Sequence, residues 1–253
     1  TTSPGARAPS TPPPPPPIQT PSPYQPRMPG PPPPPPPSQS HAPDATPDEH
    51  AGVRTLRRFH QGTLQFYERV AQIRLVLEGS SGQVVMPVEP PFAIAGAEML
   101  LWLPAESDWD AQASLIIRPI DRPESVEAVD RWRAYHGDTS LSTWVRAEID
   151  GMKTPTNVFG HEVQRPNPLG RAEYPLIRHA GADKARLIGA CKAHAATLVP
   201  DAQCVGVDPF GLDVKARFGT IRLEFPPGVN AATPEACEKQ IDHLLGIGSS
   251  QSA

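Results

Sequence analysis

The stretch Gln203–Phe225, QCVGVDPFGLDVKARFGTIRLEF, limits what this chain can fold into more than any other. Val205 and Val207 alternate with Gly206 and Asp208. Leu212, Val214 and Ala216 alternate with Asp213, Lys215 and Arg217, and Ile221, Leu223 and Phe225 with Arg222 and Glu224. Such period-two alternation gives a strand one buried face and one wet face. Asp208-Pro209-Phe210-Gly211 carries the residues of a type I turn, and Phe218-Gly219 supplies a second reversal. The spacing predicts a three-stranded antiparallel meander whose apolar face needs a helical cover. On this reading Asp208 belongs to its turn and Asp213 to the wet side of a strand, so the two are not an acid–base pair.

Both flanks offer that cover. Leu187, Ile188, Cys191, Ala195 and Leu198 keep one stripe apolar along a helix near 182–198. A last helix has Thr233 as N-cap, Pro234 at its first position, Glu235 in its first turn and Gly246 after it. Its stripe is Cys237, Ile241, Leu244 and Leu245. An α-β-β-β-α unit with both helices on one sheet face follows.

Upstream, Val53, Leu56, Phe59, Leu64 and Tyr67 recur at helical spacing and predict an opening helix. Ile73–Leu77 and Val84–Val88 read as strands around Gly79-Ser80-Ser81-Gly82. That cluster lacks the Lys-Ser/Thr of a phosphate-binding loop and reads as a hairpin turn. Met99–Leu103, Ser114–Ile117 and Val145–Ile149 read as further strands, with Val158-Phe159 a short one. Pro123 opens a helix carrying Val126, Val129, Trp132 and Tyr135 and stopped by Gly137. Strands with one or two helices predict a small β-barrel-like domain over 52–165. A linker with Pro166, Pro168, Gly170 and Pro175 spans 166–175, and the α/β domain spans 176–247.

Residues 1–51 read differently. The chain has 36 prolines, 21 of them in the first 50 residues, including the runs Pro12–Pro17 and Pro31–Pro37. Proline lacks an N–H and has a fixed φ, so this segment suits polyproline II and no core. It reads as a disordered, solvated tail; residues 12–37 could also serve as a docking strip for a polyproline-binding partner with an aromatic-lined groove. The net charge of −4 is thinly spread, which excludes an electrostatic nucleic-acid footprint. No apolar run approaches the length of a membrane span. Cys191, Cys204 and Cys237 are odd in number, widely spaced and set in apolar stripes, which predicts buried free thiols and a reducing, cytoplasmic setting.

Val205-Gly206-Val207-Asp208-Pro209-Phe210-Gly211-Leu212-Asp213, followed by Ile221-Arg222-Leu223-Glu224-Phe225-Pro226, resembles the small C-terminal domain of haem-utilisation (HugZ-like) proteins. It is similar also to the matching domain of plant glutamyl-tRNA reductase-binding proteins. The resemblance covers about 176–246. It implies a partner domain of the flavin-reductase-like split-barrel type, paired into a homodimer, and a haem or related tetrapyrrole ligand. These relatives place a His-Met-Asn-x-Asp-His-like segment before the first helix. Here that segment is His179-Ala180-Gly181-Ala182-Asp183-Lys184, so the second histidine is absent. Val158-Phe159-Gly160-His161 resembles the Gly-Phe-Gly segment that ends the barrel. The basic strand residues that hold an FMN phosphate in flavin-using cousins have no counterpart, so FMN is the less favoured cofactor.

Imidazole is the commonest axial ligand of haem iron, and the chain has eight histidines. His41 and His50 fall in the tail, His136 at a helix end and His194 within a helix. His161 follows a short strand in a glycine-containing loop, with Phe159 as a candidate apolar wall, and is the first candidate for the iron. His179 is the second, with Asp183 one helical turn on as a candidate orienter. His161-Glu162 is not a zinc motif, because Arg165 stands where a second histidine would be required. No nucleophile elbow, CxxC pair or dinucleotide-binding glycine pattern occurs. The element pattern predicts an α+β chain, and the resemblance implies a haem-binding protein of haem or iron utilisation, with residual haem-degrading activity as an option and no catalytic residue assigned. The alternatives are a non-catalytic dimeric interaction module of a tetrapyrrole pathway and a flavin-binding split-barrel oxidoreductase.

Overall fold

Alternating aliphatic residues build the larger of two sheets. In a computed structural model of the chain, residues 50–105, 107–195 and 199–246 are described, and all of them lie in one compact unit, Ala45–Ala253. The proline runs at 12–17 and 31–37 lie outside the described residues.

Helix α1 (Ala51–Arg58) leads into strands β1 (Gln61–Phe66), β2 (Arg69–Arg74), β3 (Val76–Leu77), β4 (Val84–Val88), β5 (Glu98–Ala105) and β6 (Asp108–Pro119). Helix α2 (Glu127–His136) separates these from β7 (Thr143–Lys153) and β8 (Val158–Phe159). The strands pair antiparallel in the order β2-β1-β5-β6-β7-β4-β3, with β8 added to β7. The sheet is a strongly curled half-barrel. Leu64, Met86, Leu101, Leu115, Ile117 and Val145 fill its interior, every one of them buried. Burying a side chain of this size contributes roughly 1.5–3 kcal/mol, so this face holds the barrel together. As expected, Gly79–Gly82 closes the β3–β4 hairpin, with Glu78 N–H bonded to Gln83 O. Gly137 ends α2 at φ 83° with its N–H on Arg133 O.

The opening helix is shorter than the apolar spacing predicts. It stops at Phe59, where the backbone turns extended, and Leu64 belongs to β1. Spacings of 3, 3, 5 and 3 residues fit a helix face only loosely, and a strand also places Leu64 inward. Gly62 lets β1 approach β5 closely: a Cβ there would lie 2.6 Å from Trp102 O.

The C-terminal part comprises α3 (Glu173–Gly181), α4 (Lys184–Ala195), β9 (Gln203–Asp208), β10 (Gly211–Ala216), β11 (Gly219–Glu224) and α5 (Pro234–Leu244). The meander is present in the order β11-β10-β9. Helix α3 is an addition to the predicted unit. Its start overlaps the expected linker because Pro175 lies in its first turn, where the missing N–H costs no hydrogen bond. Asp183 begins α4 by accepting from Arg186 N–H at 3.1 Å. Thr233 caps α5, its Oγ1 accepting from Ala236 N–H at 3.3 Å. On one face of the meander, Val207, Leu212, Val214 and Leu223 pack with Cys191, Cys204, Cys237 and Ile241. All three cysteines are buried free thiols, and burial pushes the Cys204 and Cys237 thiols up to about 12.

The opposite face is not wet. Asp208 and Asp213 are buried, and the Arg222 side chain is only 5% exposed, because α1, α2 and the start of β1 cover that face. The meander is buried on both sides, which period-two alternation alone does not reveal.

Candidate functional site

The seam between the barrel and the meander holds a connected set of charges. Asp213 and Arg222 face each other across the β10–β11 ladder. Arg222 donates from Nη1 to Asp213 Oδ1 at 2.9 Å and from Nη2 to Asp208 Oδ1 at 2.6 Å. From the barrel side, His60 Nε2 donates to Asp213 Oδ1 at 2.9 Å and the Tyr135 hydroxyl to Oδ2 at 2.8 Å. Arg131 Nη2 donates to the Tyr135 oxygen at 2.9 Å, and its Nη1 pairs with Glu173 at 2.7 Å. Glu173 in turn accepts from Val207 N–H. Arg57 faces Asp208 Oδ2 at 3.8 Å and donates from Nη2 to Arg165 O at 2.8 Å.

Local structure explains the convergence. Asp208 accepts from Phe210 N–H at 2.8 Å, so the turn role expected of it is real, but its carboxylate also serves the seam. Gly206 is glycine because a Cβ there would collide with the Tyr135 hydroxyl and close on Asp213. Gly211 faces a similar limit, since a Cβ would strike Leu223 O on the neighbouring strand.

Burial alone would raise the Asp213 carboxyl, but His60 and Arg222 outweigh it and hold the group well below the ordinary carboxylate range. Burial and the Asp213 charge push Tyr135 well above its usual value. Burial disfavours the Arg222 cation, yet Asp208 and Asp213 more than restore it. Asp213 is therefore a fixed anion and Tyr135 a fixed donor. The void they line is about 20 Å³, roughly the space of one water molecule. This set fastens the meander to the barrel; it has no room for a substrate.

The histidines expected to bind iron lie elsewhere. His161 opens a short 3₁₀ turn, His161–Val163, directly after β8. It is exposed, and among the described residues no hydrogen bond engages its imidazole. Phe159, two residues earlier, packs against the barrel core, whereas Val158 is 79% exposed. Lys153, which pairs with Val158 across β7 and β8, is also exposed. The neighbouring Glu162 turns back to accept from Gly160 N–H at 2.8 Å. His179 lies on α3, half-buried. Its Nε2 donates to Asp242 Oδ1 at 2.7 Å, and Nδ1 lies 3.7 Å from Glu238. The carboxylates beside it thus come from α5, while Asp183 caps α4 and pairs with Arg186 at 3.1 Å. Among the described residues the His161 ring has no hydrogen-bond partner, whereas His179 has a carboxylate at each nitrogen.

Sequence reasoning missed the barrel's half of the seam: Arg57, His60, Arg131 and Tyr135. One signal was available on the other half. Asp213 and Arg222 are opposite charges directly across a ladder, a favourable cross-strand pair. Among the described residues, no group of three or more His, Cys, Asp or Glu could hold a metal ion, and no helix is long and apolar enough to cross a membrane.

No protein-family model matches the chain, and no curated protein matches it. Among solved structures, it is similar to a protein of unknown function from Agrobacterium tumefaciens str. C58, with a TM-score of 0.56 and 16% identity over 81% of this chain and 100% of that one. A heme binding protein from Mycobacterium smegmatis aligns with a TM-score of 0.34 and 18% identity, over 80% of this chain and 98% of that one. The likeness to the Agrobacterium protein is one of fold.

Proposed function

We propose that the chain is a haem-binding protein of haem or iron utilisation, with His161 as the iron ligand. The observation that carries this reading is the state of the His161 ring: exposed and without a hydrogen-bond partner among the described residues, at the rim of a split barrel. Haem iron needs one neutral imidazole, and the macrocycle needs apolar walls with cations near its carboxylates. Val158 and Phe159 supply apolar surface beside His161, and Lys153 a cation next to Val158. His179 is the weaker candidate, since its Nε2 is committed to Asp242. The resemblance of 176–246 to haem-utilisation proteins supports the same ligand class.

Titrating haemin into the full chain is expected to give a saturable Soret band at one equivalent per chain. His161→Ala weakens binding at least about tenfold, equivalent to about 1.4 kcal/mol, and His194→Ala does not. A flat titration refutes the function. Saturable binding indifferent to His161→Ala keeps the function and discards the site.

A second reading, a dimeric interaction module, draws on a different surface. Tyr67, Ile94 and Leu100 border a groove of about 750 Å³ on the barrel, and all three are exposed. A second copy of the chain is the partner proposed to cover them. Light scattering at micromolar concentration is expected to give twice the 27.2 kDa chain mass; a single-chain mass removes this reading.

A further inference from the structure

A separate pocket opens where α1, the segment after β8 and the Asp208–Gly211 turn meet. Its volume is about 280 Å³, near the lower end for small-molecule sites. Its walls are Val53, Phe210 and three prolines, Pro166, Pro168 and Pro209. The prolines carry no N–H, so these walls present no unpaired backbone donor at those positions. The polar lining has one character. Arg57, Arg165 and the hydrogen-bonded pair Asn230 and His50 face the space, and among the described residues no carboxylate does.

Arg57 is the unusual member. It is 6% exposed, yet only one of its five N–H groups makes a hydrogen bond within the described residues, the one from Nη2 to Arg165 O. Its acidic neighbour, Asp208, stands off at 3.8 Å and gives its other oxygen to Arg222 at 2.6 Å. A buried guanidinium ordinarily spends its donors on a carboxylate in a bidentate pair. Here that pairing is incomplete, and the same side chain lines the pocket. Arg165 is exposed at the rim. Behind the aromatic wall, Arg54 stacks over Phe210 at 5.1 Å and keeps a buried Nε without a partner. Two arginines, Arg57 and Arg165, thus bear on one small apolar space, while the Arg54 guanidinium is held by Phe225 O and Val229 O.

We infer that this pocket binds a small monocarboxylate with a flat apolar body, of the size of one substituted aromatic ring. The carboxylate meets Arg57 and the rim cation Arg165, and the ring lies between Phe210 and the prolines. Both halves of the ligand are needed. A bare inorganic anion would leave the apolar walls wet, and a neutral ring would leave Arg57 underpaired. The inference is independent of the haem reading, because His161, Phe159 and Lys153 are absent from this lining.

The test uses benzoate as the probe, benzamide as its neutral isostere, and the full chain, followed by NMR titration or equilibrium dialysis. Benzoate is expected to bind saturably, and benzamide at least about tenfold more weakly. Ala232→Trp, on an exposed rim position, fills the space and abolishes benzoate binding with thermal stability retained. Arg165→Gln weakens it by about three- to tenfold, as loss of a partly exposed charge contact should. Three results overturn the inference. One is the absence of saturable benzoate binding up to about 20 mM, weaker than any specific site of this kind. Another is equal affinity for benzoate and benzamide, which makes the pocket merely apolar. The third is benzoate binding that survives Ala232→Trp, which places it elsewhere.

Discussion

The interior of the barrel and the seam beside it are both buried, but they are held by different physics. The interior joins side chains such as Leu101, Leu115 and Ile117, each with no exposed surface, through non-directional apolar contact. The seam joins Asp213 to His60, Tyr135 and Arg222 through hydrogen bonds of 2.8–2.9 Å. Apolar packing tolerates exchange at constant volume, whereas a charge network does not tolerate the loss of one charge. The barrel core therefore supplies the bulk of the stability, and the seam fixes how the meander is placed against the barrel.

Isosteric substitutions sharpen this contrast most. Asp213→Asn changes shape very little, but it leaves Arg222 and His60 without their shared anion. The expected loss is about 3–5 kcal/mol, the usual cost of breaking a buried ion pair from one side. Leu101→Met, as conservative in volume, should cost less than about 1.5 kcal/mol. Urea unfolding of the two variants decides the matter. Equal small losses would mean that the seam is solvated in solution and that the comparison fails.

The second prediction uses pH. His136 lies on α2 beside the seam, with Nε2–H on Leu75 O at 3.0 Å, and burial is the main cause holding its pKa down at about 4. The folded value lies below the unfolded value near 6.5. The stability that follows is complete above pH 6.5 and is lost as pH falls towards 4, by up to about 3 kcal/mol. Asp213 also has a depressed value, so its contribution is present above the ordinary carboxylate range and fades only in stronger acid. His136→Gln, which keeps a donor for Leu75 O, should flatten the profile between pH 6.5 and 4 and leave the steeper acid limb intact. A profile unchanged by His136→Gln would show that the ring is solvated.

The same contrast governs what the sequence could disclose. The meander, its helices and the barrel strands were legible because each buries a stripe of Val, Leu, Ile or Met at a period of two or about 3.6. The split-barrel α+β architecture could be stated before any coordinates. The seam was not legible, because Asp213 and Arg222 sit at positions that look solvent-facing along their own strands. Only the fold brings Arg57, His60 and Tyr135 to them, from 78 or more positions away in the chain. The iron candidates divide similarly. His161 could be chosen from its loop position, whereas the partner of His179 is Asp242, 63 residues on, and no local motif announces it.

The smallest expected effect tests where the seam ends. Arg58 Nε donates to Glu224 Oε1 at 2.6 Å, a contact shorter than each of the hydrogen bonds to Asp213 from His60, Tyr135 and Arg222. Yet the two side chains are 41% and 31% exposed, so water already solvates much of both charges. Arg58 also stands 3.7 Å from Asp110, which gives it a second exposed anion. An ion pair in that setting contributes about 0.2–1 kcal/mol, and salt screens it. Glu224→Gln should therefore lower the free energy of urea unfolding by less than about 1 kcal/mol, and that loss should shrink further in about 1 M salt. Asp213→Asn should keep its full effect at the same salt concentration, since its partners are desolvated. If Glu224→Gln proved as costly as Asp213→Asn and equally indifferent to salt, the protected seam would extend to the protein surface. Burial, rather than bond length, would then have been the wrong quantity on which to separate the two regions.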